Sequence, residues 1–191
     1  MRAELQQAID RFLKRDLPTD AEYYQQRREE VAALVDTLEQ HTGRHISWEP
    51  PVDLFNFYHL QIPLHTEAQA APLYGKSIAL LRRLSAKGGS SSFLHVLVSV
   101  FSRWLCIYWE RHRRNKRDFE VIYTIADTTE NLDEQTLLAQ VKHVLDEQGW
   151  LILTPEEGAK VVPDAAPIWP ERSQSPSVRH ILFPGCASLI D

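Results

Sequence analysis

"SSSFLHVLVSVFSRWLCIYWERHRRNKR", residues 90–117, decides how the rest of the chain is read. It opens on three serines, runs through a nearly unbroken apolar block and ends in a cluster of positive charge. Three readings compete: a membrane span, a buried core helix, or a helix that lays its basic end on nucleic acid. A span needs about 20 predominantly apolar residues. The block at 93–109 is 17 residues long and holds His95, Ser99, Ser102 and Arg103, so no membrane segment is expected. Drawn as a helix, Ser92, His95, Ser99, Ser102 or Arg103, and Cys106 recur every three or four positions and share one narrow face. The other faces carry Phe93, Leu97, Val100, Phe101, Trp104, Leu105, Tyr108 and Trp109. The stretch over 90–114 is therefore expected as the central helix of the core.

The polar stripe has a functional reading, the lining of a pocket with His95 as an acid–base group beside Ser99 and Cys106. Nucleophilic catalysis also needs an orienting carboxylate and an oxyanion hole, and no motif supplies them. The plainer reading is that serines admit a close neighbour and that His95 is a hydrogen-bonded core residue. A pocket on the stripe, with a carboxylate within reach of His95, would favour the enzyme. The basic end places five cations in seven residues: Arg111, Arg113, Arg114, Lys116 and Arg117. Clustered cations of this kind contact phosphates. They are equally favoured at a helix C-terminus by its dipole. Residues 127–147 carry six carboxylates against Lys142, enough to neutralise the cluster internally.

A chain of 191 residues fits one domain, or one domain with a tail, and can bury a core without staples. Apolar residues at 43% and charged residues at 25% describe a globular protein. The net charge of −5 does not favour broad nucleic-acid binding but leaves room for a local basic patch. Two distant cysteines, Cys106 and Cys186, are expected as reduced thiols. The opening MRAELQQAIDRF is amphipathic and has no apolar core of signal-peptide type, which points to a cytoplasmic protein.

Apolar spacing predicts helices over 2–15 and 20–41, the second capped by Thr19 or Asp20 and closed by Gly43. Residues 46–48 and 57–64 read as strands near a sheet edge, because Pro50, Pro51 and Pro63 interrupt them. A helix at 67–86, a strand at 119–126 and a helix at 132–148 follow. WLIL (150–153) is expected to pair through the PEEG turn with AKVV (159–162). Four prolines within 163–176 describe an extended linker before an apolar tail. The fold class is thus α+β: a helix-rich single domain at 1–162, four to five helices packed on a small mixed sheet, with a proline-rich extension at 163–191.

Other motifs fall short. YGKS at 74–77 lacks the first glycine of a phosphate loop, since Ala70 stands there, and Pro72 removes an N–H from the cradle. His41 and His45 share helical spacing, and His59 and His65 fall in the strand region, but no ligand set is completed. Residues 136–162 have the outline of a winged-helix end, without the preceding helix-turn-helix. No metal or cofactor is expected. The leading expectation is a non-catalytic interaction or regulatory protein with a protein partner. The alternatives are a nucleic-acid-associated protein using the basic cluster, and an enzyme with a pocket on the polar stripe.

Overall fold

Helices α1 (Ala3–Leu13) and α2 (Ala21–Thr42) follow the apolar spacing of the sequence. Asp20 caps α2 by accepting the Tyr23 N–H at 2.7 Å, and Gly43 closes it at φ 63°, a left-handed value that costs glycine little. The remaining elements are β1 (Ser47–Glu49), β2 (Phe57–Pro63), β3 (Ser91–Ser99), β4 (Trp104–Arg114), β5 (Val121–Ala126), α3 (Leu132–Glu147), β6 (Leu151–Ile152), α4 (Pro155–Gly158) and α5 (Val178–Leu182). This computed structural model describes residues 1–14, 16, 18, 20–51, 57–64, 91–114, 121–163, 165 and 176–183, the side chains at 91, 113, 114 and 121–123 excepted. The expected helix at 67–86, the YGKS motif and most of 163–176 lie outside them.

Strands β1 to β5 form an antiparallel meander in chain order, and β6 adds in parallel to the start of β4. The sheet is therefore mixed, and with five helices among the described residues the fold is α+β.

Residues 91–114, expected as one central helix, are instead a hairpin of β3 and β4. The physical reason lies in the residue types. Valine, isoleucine and aromatic side chains lose rotamer freedom in a helix and pack well on a pleated surface. Both faces of this hairpin are covered, so its strands read as continuous apolar runs instead of alternating ones. Such a run imitates a buried helix when periodicity alone is used. The break falls at 100–103, where the Ser99 hydroxyl accepts the Phe101 N–H at 3.3 Å and the Ser102 hydroxyl accepts the Trp104 N–H at 3.4 Å. Serines that bond their own backbone two residues on initiate turns.

One sheet face packs Leu60, Leu94, Val96, Val98, Leu105 and Trp109 against α2 and α3. Full burial of each such aliphatic side chain contributes about 1.5–3 kcal/mol. The opposite face packs Phe57, Leu97, Trp104 and Cys106 against Leu5 and Ile9 of α1 and Val178, Ile181 and Leu182 of α5. The segment 176–183 thus docks on its own chain. PEEG is the short helix α4, closed by a capping box between Thr154 and Glu157, and not a hairpin turn. WLIL contributes Leu151 and Ile152 to β6 beside β4, while Val161 bridges to Ser177, so the expected WLIL–AKVV pair does not form.

Among the described residues, no helix is long and apolar enough to cross a membrane.

Candidate functional site

Alternation along a strand sends every second side chain to the same face. With His59 opposite Leu97, Gln61 opposite His95 and His95 opposite Tyr108, the register places His59, His95, Tyr108, Glu110 and His112 on one face of three adjacent strands. They form a connected row. Nε2 of His59 lies 2.6 Å from Nδ1 of His95. Nε2 of His95 lies 2.8 Å from Oε2 of Glu110, in ion-pair range but not aimed for a hydrogen bond. Oε1 of Glu110 meets Nε2 of His112. The His95 ring is sandwiched, stacked at 4.8 Å on Tyr108 and tilted at 4.9 Å against His59.

His95 is enclosed, while His59, Glu110 and His112 are each partly open. Burial, seconded by the neighbouring His95, pushes the His59 pKa down to about 3 against an opposing pull from Glu110. Burial alone would push Glu110 up. The contacts from His112 and His95 outweigh it and hold the carboxyl at about 2. His59 is therefore neutral and Glu110 ionised near neutral pH. With His95 neutral, the contacts fit one proton arrangement: the Nε2–H of His112 donated to Glu110, the Nε2–H of His95 on the Glu110 side, and the Nε2–H of His59 donated to Nδ1 of His95. Nδ1 of His59 then carries a lone pair and has no partner among the described residues.

The three catalytic candidates of the sequence do share this sheet face, but not as a dyad. On a strand, residues four apart are separated by about 13 Å, so Ser99 cannot reach His95. Cys106 stands opposite Leu97. Burial pushes its thiol up to about 12, far from a nucleophilic thiolate. The carboxylate that the helical reading lacked is Glu110.

The basic cluster is divided. Arg111 is 2% exposed and grips Glu134, itself fully buried, through Nε–Oε1 at 2.9 Å and Nη2–Oε2 at 2.7 Å. It also donates to the Thr128 carbonyl and lies 3.7 Å from Glu130. The 127–147 segment thus neutralises Arg111, which offers no surface for phosphate. Arg113 and Arg114 extend β4 opposite Ile122 and Val121. Their side chains, with Lys116 and Arg117, lie outside the described set.

Among the described residues no three His, Cys, Asp or Glu side chains are arranged to hold a metal ion. In the row, the imidazole nitrogens face each other or a carboxylate instead of converging on one point. His41 contacts the Thr37 carbonyl and His45 contacts Glu39, so that pair is also spent separately.

A cleft of ≈ 210 Å³ opens beside the β3–β4 turn, between α1 and the hairpin. Ser99, Phe101, Ser102, Arg103 and Trp104 supply one wall, and Arg11 and Phe12 are among the α1 residues opposite. Ser99 lies diagonal to His59 across the β2–β3 register, so cleft and histidine row are neighbours on one sheet face. Reading 90–114 at a helical period hid Glu110 and His112, and with them the pairing of His95 with His59 of the neighbouring strand. The available signal was a period of two, with Glu110 and His112 two apart on one strand.

Comparison with protein-family models, with curated proteins and with solved structures yields no match.

Proposed function

We propose that the protein carries out general acid–base chemistry on this sheet face, with His59 meeting the substrate, His95 and Glu110 accepting its proton in turn, and His112 holding the Glu110 carboxylate. The observation that supports this reading is the continuous contact from His59 through His95 to Glu110, at 2.6 and 2.8 Å. A lone histidine held near pKa 3 is a weak base. In a row, the proton taken at Nδ1 of His59 releases the Nε2 proton to His95, which passes its own to Glu110. The row spreads the proton over a coupled set and carries it away from the substrate, without making His59 a stronger base, since Glu110 is held lower still, at about 2. The misaligned His95–Glu110 contact fits a site that tightens only when occupied. With Cys106 inert and Ser99 out of reach of His95, the chemistry needs no covalent intermediate. Proton abstraction or activation of water is the reaction class.

Acylation of histidines by diethyl pyrocarbonate, read by peptide mass spectrometry, tests this. His59 should react without slowing between pH 7 and 5, where an ordinary histidine protonates. Glu110→Gln should slow it about tenfold while the fold, followed by circular dichroism, persists. Indifference of His59 to Glu110→Gln would remove the proposal.

A non-catalytic interaction protein, cytoplasmic and with a protein partner, is the competing proposal. Its support is the wall of Phe12, Phe101, Trp104, Arg11 and Arg103, residue types enriched at interface cores.

A further inference from the structure

We infer that the cleft between α1 and the β3–β4 turn binds a small organic anion, a carboxylate or phosphate monoester with an apolar body. This stands apart from the histidine row. It rests on how the turn is built.

The turn is anchored from beneath. Arg27, 5% exposed, donates to the carbonyls of Ser99 and Ser102, and Tyr23 donates its hydroxyl to the Val100 carbonyl at 3.0 Å. The Arg27 guanidinium lies 4.6 Å from the centre of the Trp150 ring. With its carbonyls drawn inward, the turn presents side chains to the cleft.

Those side chains are donors. Ser99 and Ser102 each use their oxygen to accept a backbone N–H, which leaves both O–H groups to give. Arg103 donates Nη1 to the Gln148 carbonyl at 2.8 Å and its guanidinium lies 5.4 Å from the centre of the Trp150 ring, while its Nε and Nη2 have no hydrogen-bond partner among the described residues. Arg11 is tied only loosely, 3.8 Å from the exposed Asp16. Against these two cations the cleft wall holds one carboxylate, Glu4. Two guanidiniums with hydroxyl donors match a planar or tetrahedral anion, because Arg pairs with carboxylate and phosphate bidentately. Phe101 and Trp104 supply an apolar surface for the rest of the ligand. The volume of ≈ 210 Å³ falls below the roughly 300–1,000 Å³ of drug-sized sites, so the ligand is a small metabolite.

The test uses the full chain, titrated in turn with benzoate, phenyl phosphate and neutral benzamide, following the backbone amide resonances of 101–104 by NMR. Benzoate or phenyl phosphate should shift these resonances saturably, and benzamide should bind at least tenfold more weakly. Which of the two anions binds more tightly assigns the head group. Arg103→Met and Arg11→Met should each weaken binding about tenfold, with Ser102→Ala a milder third variant should either fail to fold. His59→Gln should leave the affinity within twofold, so a failure here is distinct from a failure of the acid–base row. Absence of saturable shifts for both anions overturns the inference. So does benzamide binding as tightly as benzoate, or binding indifferent to both arginine variants.

Discussion

Removing Arg111 tests whether the basic cluster is internal structure or working surface. The guanidinium and the Glu134 carboxylate are 2% and 0% exposed and make two contacts of 2.9 and 2.7 Å. In Arg111→Met the carboxylate keeps only the Glu130 backbone N–H, at 2.7 Å. Breaking a buried pair from one side costs about 3–5 kcal/mol, because a charge is left without compensation. The retained N–H puts Arg111→Met near the lower end, about 3 kcal/mol. Glu134→Leu should cost a similar amount, since Arg111 then keeps the Thr128 carbonyl and the more distant Glu130. The double variant removes both charges, and an apolar replacement of a buried pair is often nearly neutral. It should lie within about 2 kcal/mol of the parent, giving a coupling energy of at least about 4 kcal/mol in the double-mutant cycle. Urea denaturation followed by circular dichroism reads all four proteins, with an unchanged m-value as the check that only stability moved. Either single variant costing under about 1 kcal/mol, or a double variant costing the sum of the singles, would mean that Arg111 and Glu134 do not compensate each other's buried charge.

Stability should fall on acidification in two overlapping windows. A depressed histidine pKa means that the unfolded chain binds the proton first, so the His59 contribution is lost as pH falls from about 6.5 towards 3, at up to about 1.4 kcal/mol per pH unit. The depressed Glu110 carboxyl adds stability that is present above about pH 4.5 and lost towards pH 2. His59→Phe should flatten the upper window in denaturation curves taken at pH 7, 6 and 5, and an unchanged slope would contradict the burial argument. Leu94→Ala, at a fully buried position between the sheet and its helices, should cost about 2–5 kcal/mol, and a loss below 1 kcal/mol would place it outside the core. Gly43→Ala should cost about 1 kcal/mol through its φ of 63°, despite open space around it, and a neutral result would mean that the helix end rearranges. Cys106 should resist iodoacetamide at pH 8 in the folded protein, as read by peptide mapping, and rapid labelling would contradict its burial.

Much of the fold could be read from residue chemistry where an element has one wet face. Helices α1, α2 and α3 expose a polar side, so their apolar stripes have a clear helical period, and Gly43 and Asp20 mark the ends of α2. Strands β1, β2 and β5 were legible from aromatic and β-branched residues near their turns. The β3–β4 hairpin was not, because both its faces are buried and the alternation that reveals a strand disappears. That one misreading displaced the site. At a helical period His95 groups with Ser99 and Cys106, whereas at a strand period its partner is Glu110, two positions from His112, with His59 across the β2–β3 register. The cross-strand partner depends on pairing register, which the local sequence of β3 does not contain.

Long-range proton–nitrogen NMR of the imidazole rings, followed from pH 7.5 to 4.5, tests the histidine row most directly. His59 should stay neutral throughout, with its proton on Nε2, and Glu110→Gln should shift the ring signals of both His95 and His59. A His59 that titrates near pH 6.5, or ring signals of His59 that ignore the loss of the Glu110 charge, would contradict this reading.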